Sequence, residues 1–418
     1  MRYLVVQPNS NEGLKFNLFR LSPVELVALF ALFISITASA EERLELKTSF
    51  NFPGGSAKVE EINHTDRIIR LLPSMHKDKG WACWWYLKVE GIKPGETITL
   101  DVGGGIWAQP AQAFYSLDDA NWIQTPAGEF KNKRMLYRQK IDAPAAWFAW
   151  GPVFTLKNAR EMVERAARTP HAKAFELCKS AEGHPVPGLR VTQTDDPKRF
   201  GVWIHARQHA WESGSSWVCQ GFTEWLVSDD PRAEVLRRNA LITIVPIMDM
   251  DNVERGAGGK TQKPQDHNRD WSGAPHWPEV RAAMQQIKTQ NAAGAFDVFV
   301  DLHNPSATDT HPYFYSSPRE MLSQRGWTNL RTFLSCAKEE MTGPLNFIGT
   351  VMESGPSYDK NWKTISKNWV SENTSRHVVA LTLETAWNVP ASTQENYKRV
   401  GKEQGLAIER YLRQNIRE

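Results

Sequence analysis

Cysteine is scarce: Cys83, Cys178, Cys219 and Cys336 are the only four in 418 residues, and no two form a CxxC pair. That spacing excludes a zinc ribbon and a thioredoxin-like redox site, both of which need paired thiols within a turn of chain. Isolated cysteines of this kind are expected to be small buried residues, with one or two disulfides allowed in an exported chain. Charge of one sign is lacking as well. The 50 Lys and Arg against 47 Asp and Glu leave a net +3 without a long basic run. Neither nucleic acid nor an acidic membrane surface is therefore an expected partner. Internal repeats and low-complexity tracts are absent too, and the apolar stretch at 26–36 is too short to span a bilayer.

What is there is ordinary in bulk: 41% hydrophobic and 23% charged residues, enough for a sizeable core and, at this length, for two or three domains. The first forty residues differ from the rest. Lys15 and Arg20 precede the apolar stretch, which ends in Ala38-Ser39-Ala40. This small-x-small pattern is that of a signal peptide over 1–40, cleaved after Ala40, with an expected destination in the periplasm or outside the cell and no stable membrane span afterwards. Glu25 and the long leader before Lys15 depart from the usual form.

Two halves follow. Over 41–157, short alternating runs such as Trp84-Trp85-Tyr86-Leu87-Lys88-Val89 and Thr97-Ile98-Thr99-Leu100-Asp101-Val102 are separated by Lys93-Pro94-Gly95 and Gly103-Gly104-Gly105. The spacing predicts an antiparallel β-sandwich. Its tryptophans, at 81, 84, 85, 107, 122, 147 and 150, are expected mainly in the core, the alternative being a sugar-stacking platform. Over 158–418, continuous apolar runs at 200–205, 241–247, 296–302 and 378–384 alternate with helical patterns at 215–226, 279–290, 330–340 and 393–414, and a further helix is expected near 159–168. This is the grammar of an α/β fold with a mixed, mostly parallel sheet covered by helices.

His209 and Glu212 are three residues apart, near enough to aim at one ion. With 11 histidines, about one such HxxE match arises by chance, and His276-Trp277-Pro278-Glu279 is a second. Flanking prolines mark that second match as a helix start. The first match has better company. Function in open α/β sheets collects at the carboxyl ends of strands. His209 lies just past the 200–205 run, His303 follows 296–302 and Glu384 closes 378–384. A His-Glu-His set with one open position suits catalytic zinc.

Arg207-Gln208-His209-Ala210-Trp211-Glu212, Asp266-His267-Asn268-Arg269, Asp301-Leu302-His303 and Thr382-Leu383-Glu384 resemble, in order and spacing, the motifs of the carboxypeptidase A-like zinc metallocarboxypeptidases. Trp84-Trp85-Tyr86 and Ala149-Trp150-Gly151-Pro152 resemble the amino-terminal domain of the cytosolic-carboxypeptidase, deglutamylase-like branch and its bacterial relatives. The resemblance implies one zinc ion held by His209, Glu212 and His303, with Glu384 as general base and acid on a zinc-activated water. It implies further that Asn268 and Arg269 hold the terminal carboxylate of a peptide or protein substrate, and that Asp266 orients His209. Tyr358 is the candidate for a tyrosine that covers substrate.

The chain departs from the family at Asp249-Met250-Asp251-Asn252, where relatives carry an Asn-Pro-Asp-Gly turn, and at the oxyanion arginine, for which Arg255 is the preferred candidate and Lys260 the alternative. His205 is expected to be a packing residue; His311 and Tyr313 are candidates for the cleft wall. Lys363, Lys367 and Arg376 lie where relatives build their specificity pocket. Two other readings stay open: an acyl-amino-acid deacylase of the aspartoacylase type, and a binding protein with a vestigial zinc site.

Overall fold

The structure, a computed structural model, describes residues 44–196 and 199–414. The expected signal peptide lies outside the described residues. The described residues from Glu45 onward hold together as one compact unit.

The first half contains ten strands: β1 (Lys47–Ser49), β2 (Lys58–Asn63), β3 (Ile68–Leu72), β4 (Tyr86–Glu90), β5 (Glu96–Val102), β6 (Phe114–Ser116), β7 (Ile123–Gln124), β8 (Glu129–Lys131), β9 (Arg134–Ile141) and β10 (Ala145–Ala149). They form two five-stranded sheets, ordered β1-β4-β10-β6-β7 and β2-β3-β5-β9-β8. All pairings are antiparallel except β3 with β5, which run parallel. Alternate residues of the two sheets, including Leu87, Val89, Ile98, Leu100 and Phe148, are buried. Trp85 and Tyr137 meet across this core with ring centroids 6.0 Å apart. Burial of such alternating apolar faces is the main force holding a sandwich together.

The second half begins with helix α1 (Leu156–Ala166), whose Thr155 and Asn158 form a capping box. Eight strands follow: β11 (Ala172–Lys179), β12 (Pro185–Val191), β13 (Phe200–Ala206), β14 (Ala240–Val245), β15 (Val298–His303), β16 (Tyr313–Ser316), β17 (Val351–Glu353) and β18 (Val379–Glu384). Their order is β11-β12-β14-β13-β15-β18-β16-β17. The centre, β14-β13-β15-β18, is wholly parallel. Every residue of β15 and β18 is buried, as expected of strands covered on both faces. Helices α2 (Ser213–Leu226), α3 (Pro231–Asn239), α4 (Met250–Arg255), α5 (Pro278–Ala292), α6 (Gln324–Glu340), α7 (Ser366–Asn373) and α8 (Gln394–Gln414) complete the half. Helices α2 and α8 pack backbone to backbone: a Cβ on Gly221 would lie 2.0 Å from the Lys398 carbonyl oxygen, and one on Gly401 2.0 Å from that of Val218.

No cysteine is paired among the described residues; three are buried and Cys178 is half-buried. The Asp249–Asn252 stretch is the start of α4 and not an isolated turn. Asp249 caps it by accepting the Asn252 N–H, a role for which a short carboxylate side chain is well suited.

Candidate metal centre

The sheet delivers the site. In the parallel pairing of β15 and β18, His303 stands directly beside Glu384, and on the other side Tyr313 of β16 stands opposite Glu384. His209 and Glu212 come from the loop that leaves β13. That loop reverses at Arg207, a non-glycine residue with φ of 67°. Such a conformation costs about 1 kcal/mol or more, and the buried guanidinium offsets it by donating to the carbonyls of Ala210 at 2.7 Å and Phe154 at 3.1 Å. Glu212 then occupies the N-cap of α2, where the helix dipole favours an anion.

His209 Nδ1 lies 2.7 Å from Glu212 Oε1, and His303 Nδ1 lies 2.7 Å from Glu212 Oε2. Ligand atoms of these three buried residues all fall within 4.8 Å of one another. Outer ring nitrogens face carboxylates: His209 Nε2 is 3.5 Å from Asp266 Oδ1, and His303 Nε2 is 3.0 Å from Asp301 Oδ1. Carboxylate-backed imidazoles with their other nitrogens converging on one point are the arrangement a zinc ion requires. The residues fit the metal.

Asp301 is itself braced, accepting from Gln208 Nε2 and Ser366 Oγ at 2.6 Å each. His205 is fully buried, and the Trp203 indole N–H donates to its Nδ1 at 3.0 Å. Since an indole nitrogen only donates, the His205 proton must sit on Nε2, 3.0 Å from Asp301. Burial penalises the Asp301 and Glu212 carboxylates, yet the histidines beside each outweigh it and hold both below the usual range. Burial pushes the Glu384 carboxyl up to about 7, with the His303 ring opposing the rise. A raised carboxyl beside a metal site is suited to proton transfer near neutrality.

Other predicted residues fall at graded distances from this point. Asp266 stands behind His209. Asn268 sits behind His303, its Nδ2 3.2 Å from the ring and its Oδ1 accepting from the Ser366 N–H at 3.0 Å. Arg269 donates from Nε to Asp359 at 2.9 Å, and its guanidinium carbon lies 5.8 Å from the Tyr358 ring centroid. Tyr358 lines the cleft, is 43% exposed and packs against Tyr315 with ring centroids 5.1 Å apart. Tyr313 lines the cleft as well, whereas exposed His311 is within 3.2 Å of Asn346 Oδ1.

The two cation candidates separate. Lys260 lines the cleft together with Glu384 and favours the ionised forms of Glu384 and Asp266. Arg255, in the last turn of α4, pairs with Glu182, as does Lys79 at 3.6 Å. The structure thus places Lys260, and not the preferred Arg255, at the cleft. Of the pocket lysines, Lys367 is buried, with Nζ 3.3 Å from Asn368 Oδ1 and 5.8 Å from the Tyr315 ring centroid. Burial lowers it to about 7 against the pull of Asp301. Lys363 and Arg376 stay outside, paired with Glu372 and the Met321 carbonyl. Tyr315 and Asp309 are cleft residues that the sequence did not flag. The second HxxE match is structural, with Glu279 in the first turn of α5.

A profile of the zinc carboxypeptidases matches residues 159–403. The chain belongs to the zinc carboxypeptidase family. Mouse cytosolic carboxypeptidase 4 is 31% identical over 189 residues, covering 42% of this chain but 17% of that protein's length. A metallo-carboxypeptidase from Burkholderia cenocepacia aligns over 89% of this chain and all of its own, at TM-score 0.76 and 21% identity. A carboxypeptidase A-like protein from Shewanella denitrificans does so at TM-score 0.77 and 20% identity. At that identity the structural likeness concerns the fold. It takes in the β-sandwich as well as the carboxypeptidase half.

Proposed function

We propose that this chain is a zinc-dependent carboxypeptidase that removes the last residue of peptides or proteins. The carrying observation is the convergence of His209 Nδ1, Glu212 and His303 Nδ1 beside Glu384, which β-pairing holds next to His303. When bound, zinc supplies Lewis acidity, polarising a carbonyl and lowering the pKa of water. Glu384 takes a proton from the attacking water and passes it to the leaving amine. Lys260 stabilises the oxyanion as the carbonyl becomes tetrahedral. Arg269, with Asn268 behind it, receives the terminal carboxylate, and Tyr358 covers the bound residue. An internal peptide bond offers no such carboxylate, so the geometry favours an exopeptidase over an endopeptidase, and the long catalytic half with its preceding β-sandwich favours a peptidase over the deacylase reading.

Purified protein is expected to contain one zinc ion per chain and to cleave free-acid peptides but not their amides. Glu384→Gln should keep the zinc and lose roughly 10²–10⁴-fold in kcat. An active Glu384→Gln protein, or equal cleavage of amidated peptides, would sink the mechanism. For location, the basic-apolar-small pattern over 1–40 supports export to the periplasm or beyond. Sequencing the amino terminus of the mature protein checks it, a new terminus at Glu41 being the expected result.

A further inference from the structure

The cleft before Glu384 has a volume of about 370 Å³ and two aromatic walls. Tyr313, Tyr315 and Tyr358 form one; the last stands against Arg269. Trp81, Trp107 and Trp211 form the other, with ring centroids 4.7 Å (81 to 107), 5.9 Å (107 to 211) and 6.4 Å (81 to 211) apart. Its back is stiff. Trp387 lies 6.4 Å from Trp107 and 4.5 Å from Trp150, and the Trp150 indole donates to the Trp107 carbonyl at 2.8 Å.

Core packing accounts for Trp150, Trp211 and Trp387, which are buried. Trp81 and Trp107 pack against that core on one side only: they are partly open and line the cleft. Rigid, partly open indoles in a concave wall are the anchors that binding sites use.

We infer that Trp81 and Trp107, supplied by the β-sandwich, form a subsite for an apolar or aromatic side chain on the penultimate residue of the substrate. The inference rests on the proposed carboxypeptidase reading. In that reaction the carbonyl attacked belongs to the penultimate residue, and Lys260 is the cation at its oxygen. Lys260 Nζ lies 5.4 Å from the Trp81 ring centroid. The residue bearing that carbonyl is therefore held next to Trp81, while the last residue points the other way, to Arg269 and Tyr358. A peptide running from the tyrosine wall to the tryptophan wall leaves its penultimate side chain against Trp107. Stacking and burial of one side chain there is worth about 1.4 kcal/mol, or ten-fold.

The test uses zinc-loaded full chain and peptides that share one last residue and differ before it, Phe, Leu, Ala or Gly. The wild type is expected to prefer Phe over Gly by roughly ten-fold in kcat/KM. Trp107→Ala should bring that ratio close to one without changing the ranking of last residues, and Trp107→Phe should retain most of it. A wild-type enzyme indifferent to the penultimate residue overturns the subsite, as does a Trp107→Ala enzyme slowed equally on every peptide. The wild-type ratio and Trp107→Phe decide the matter even where Trp107→Ala fails to fold. Failure to cut any peptide would instead overturn the carboxypeptidase reading, and the subsite with it.

Discussion

Arg269 donates from Nε to Asp359 Oδ2 at 2.9 Å, and its Nη1 donates to the Asn268 carbonyl at 3.0 Å. The guanidinium is thus held in place before a ligand arrives. A pinned arginine loses little rotamer freedom on binding, a saving of about 0.5–1.5 kcal/mol. Asp359→Ala should therefore raise KM by roughly two- to ten-fold with little change in kcat. Arg269→Lys keeps the charge and loses the fork that matches a carboxylate, so its KM should rise by at least about ten-fold. Steady-state kinetics on a free-acid peptide checks both. An Asp359→Ala enzyme with lower KM would show that Asp359 competes with substrate and does not position Arg269.

Lys260 and Arg255 make opposite predictions. Lys260 lines the cleft, and Arg255 is paired with Glu182 at the end of α4. Lys260→Ala should lower kcat by about 10²–10³-fold, the usual cost of losing one oxyanion donor. Arg255→Ala should leave kcat within about two-fold and affect stability by under about 1 kcal/mol, as for a half-exposed ion pair. The reverse pattern would return the role to Arg255.

The difference between these two cations shows where sequence reading stops. The runs at 200–205, 296–302 and 378–384 became β13, β15 and β18 within a residue or two, because strands buried on both faces are uniformly apolar and announce themselves. The candidate ligands near their ends were legible for the same reason. Arg255 was preferred over Lys260 because a turn was expected where Asp249 caps a helix, and that helix turns Arg255 toward Glu182. Tyr315 was missed because β16 has four residues, and its place in the cleft follows from an antiparallel pairing with β18 that sets it opposite Thr382. Asp301 owes its braces to Gln208 and Ser366, 93 and 65 residues away. Local patterns carry no trace of such partners.

Gly259 is a point where the fold tolerates no side chain. Its φ is 78°, and an added Cβ would lie 2.5 Å from Asp249 Oδ2 and 2.7 Å from the Ala210 backbone nitrogen. Ala210 sits between His209 and Glu212, so relief of that clash must move the ligand loop. Gly259→Ala should lower stability by about 1–3 kcal/mol and weaken zinc retention. Thermal melts and metal analysis of the dialysed variant measure the two effects. Unchanged zinc affinity would show that the loop absorbs the clash elsewhere.

His267 gives the fold a pH dependence of predictable sign. The ring is buried, stacked on Trp277 at 4.9 Å, with Nδ1 3.7 Å from Asp249 Oδ2 and Nε2 3.6 Å from Glu279 Oε2. Burial disfavours the imidazolium, but Asp249 and Glu279 outweigh it and lift His267 to about 9. The folded state therefore binds this proton more tightly than an unfolded chain, where the value is near 6.5. Its contribution is fully present below about pH 6.5 and is lost as pH rises through about 9, and it amounts to at most about 3 kcal/mol. Groups common to both proteins cancel when wild type is compared with His267→Gln in zinc-replete buffer. The wild type should melt several degrees higher than the variant at pH 6, and that gap should close by pH 9.5. A gap of equal size at both pH values would mean that His267 is neutral in the folded protein, held by packing on Trp277 and by the Gln262 amide, whose Nε2 lies 3.1 Å from its Nδ1.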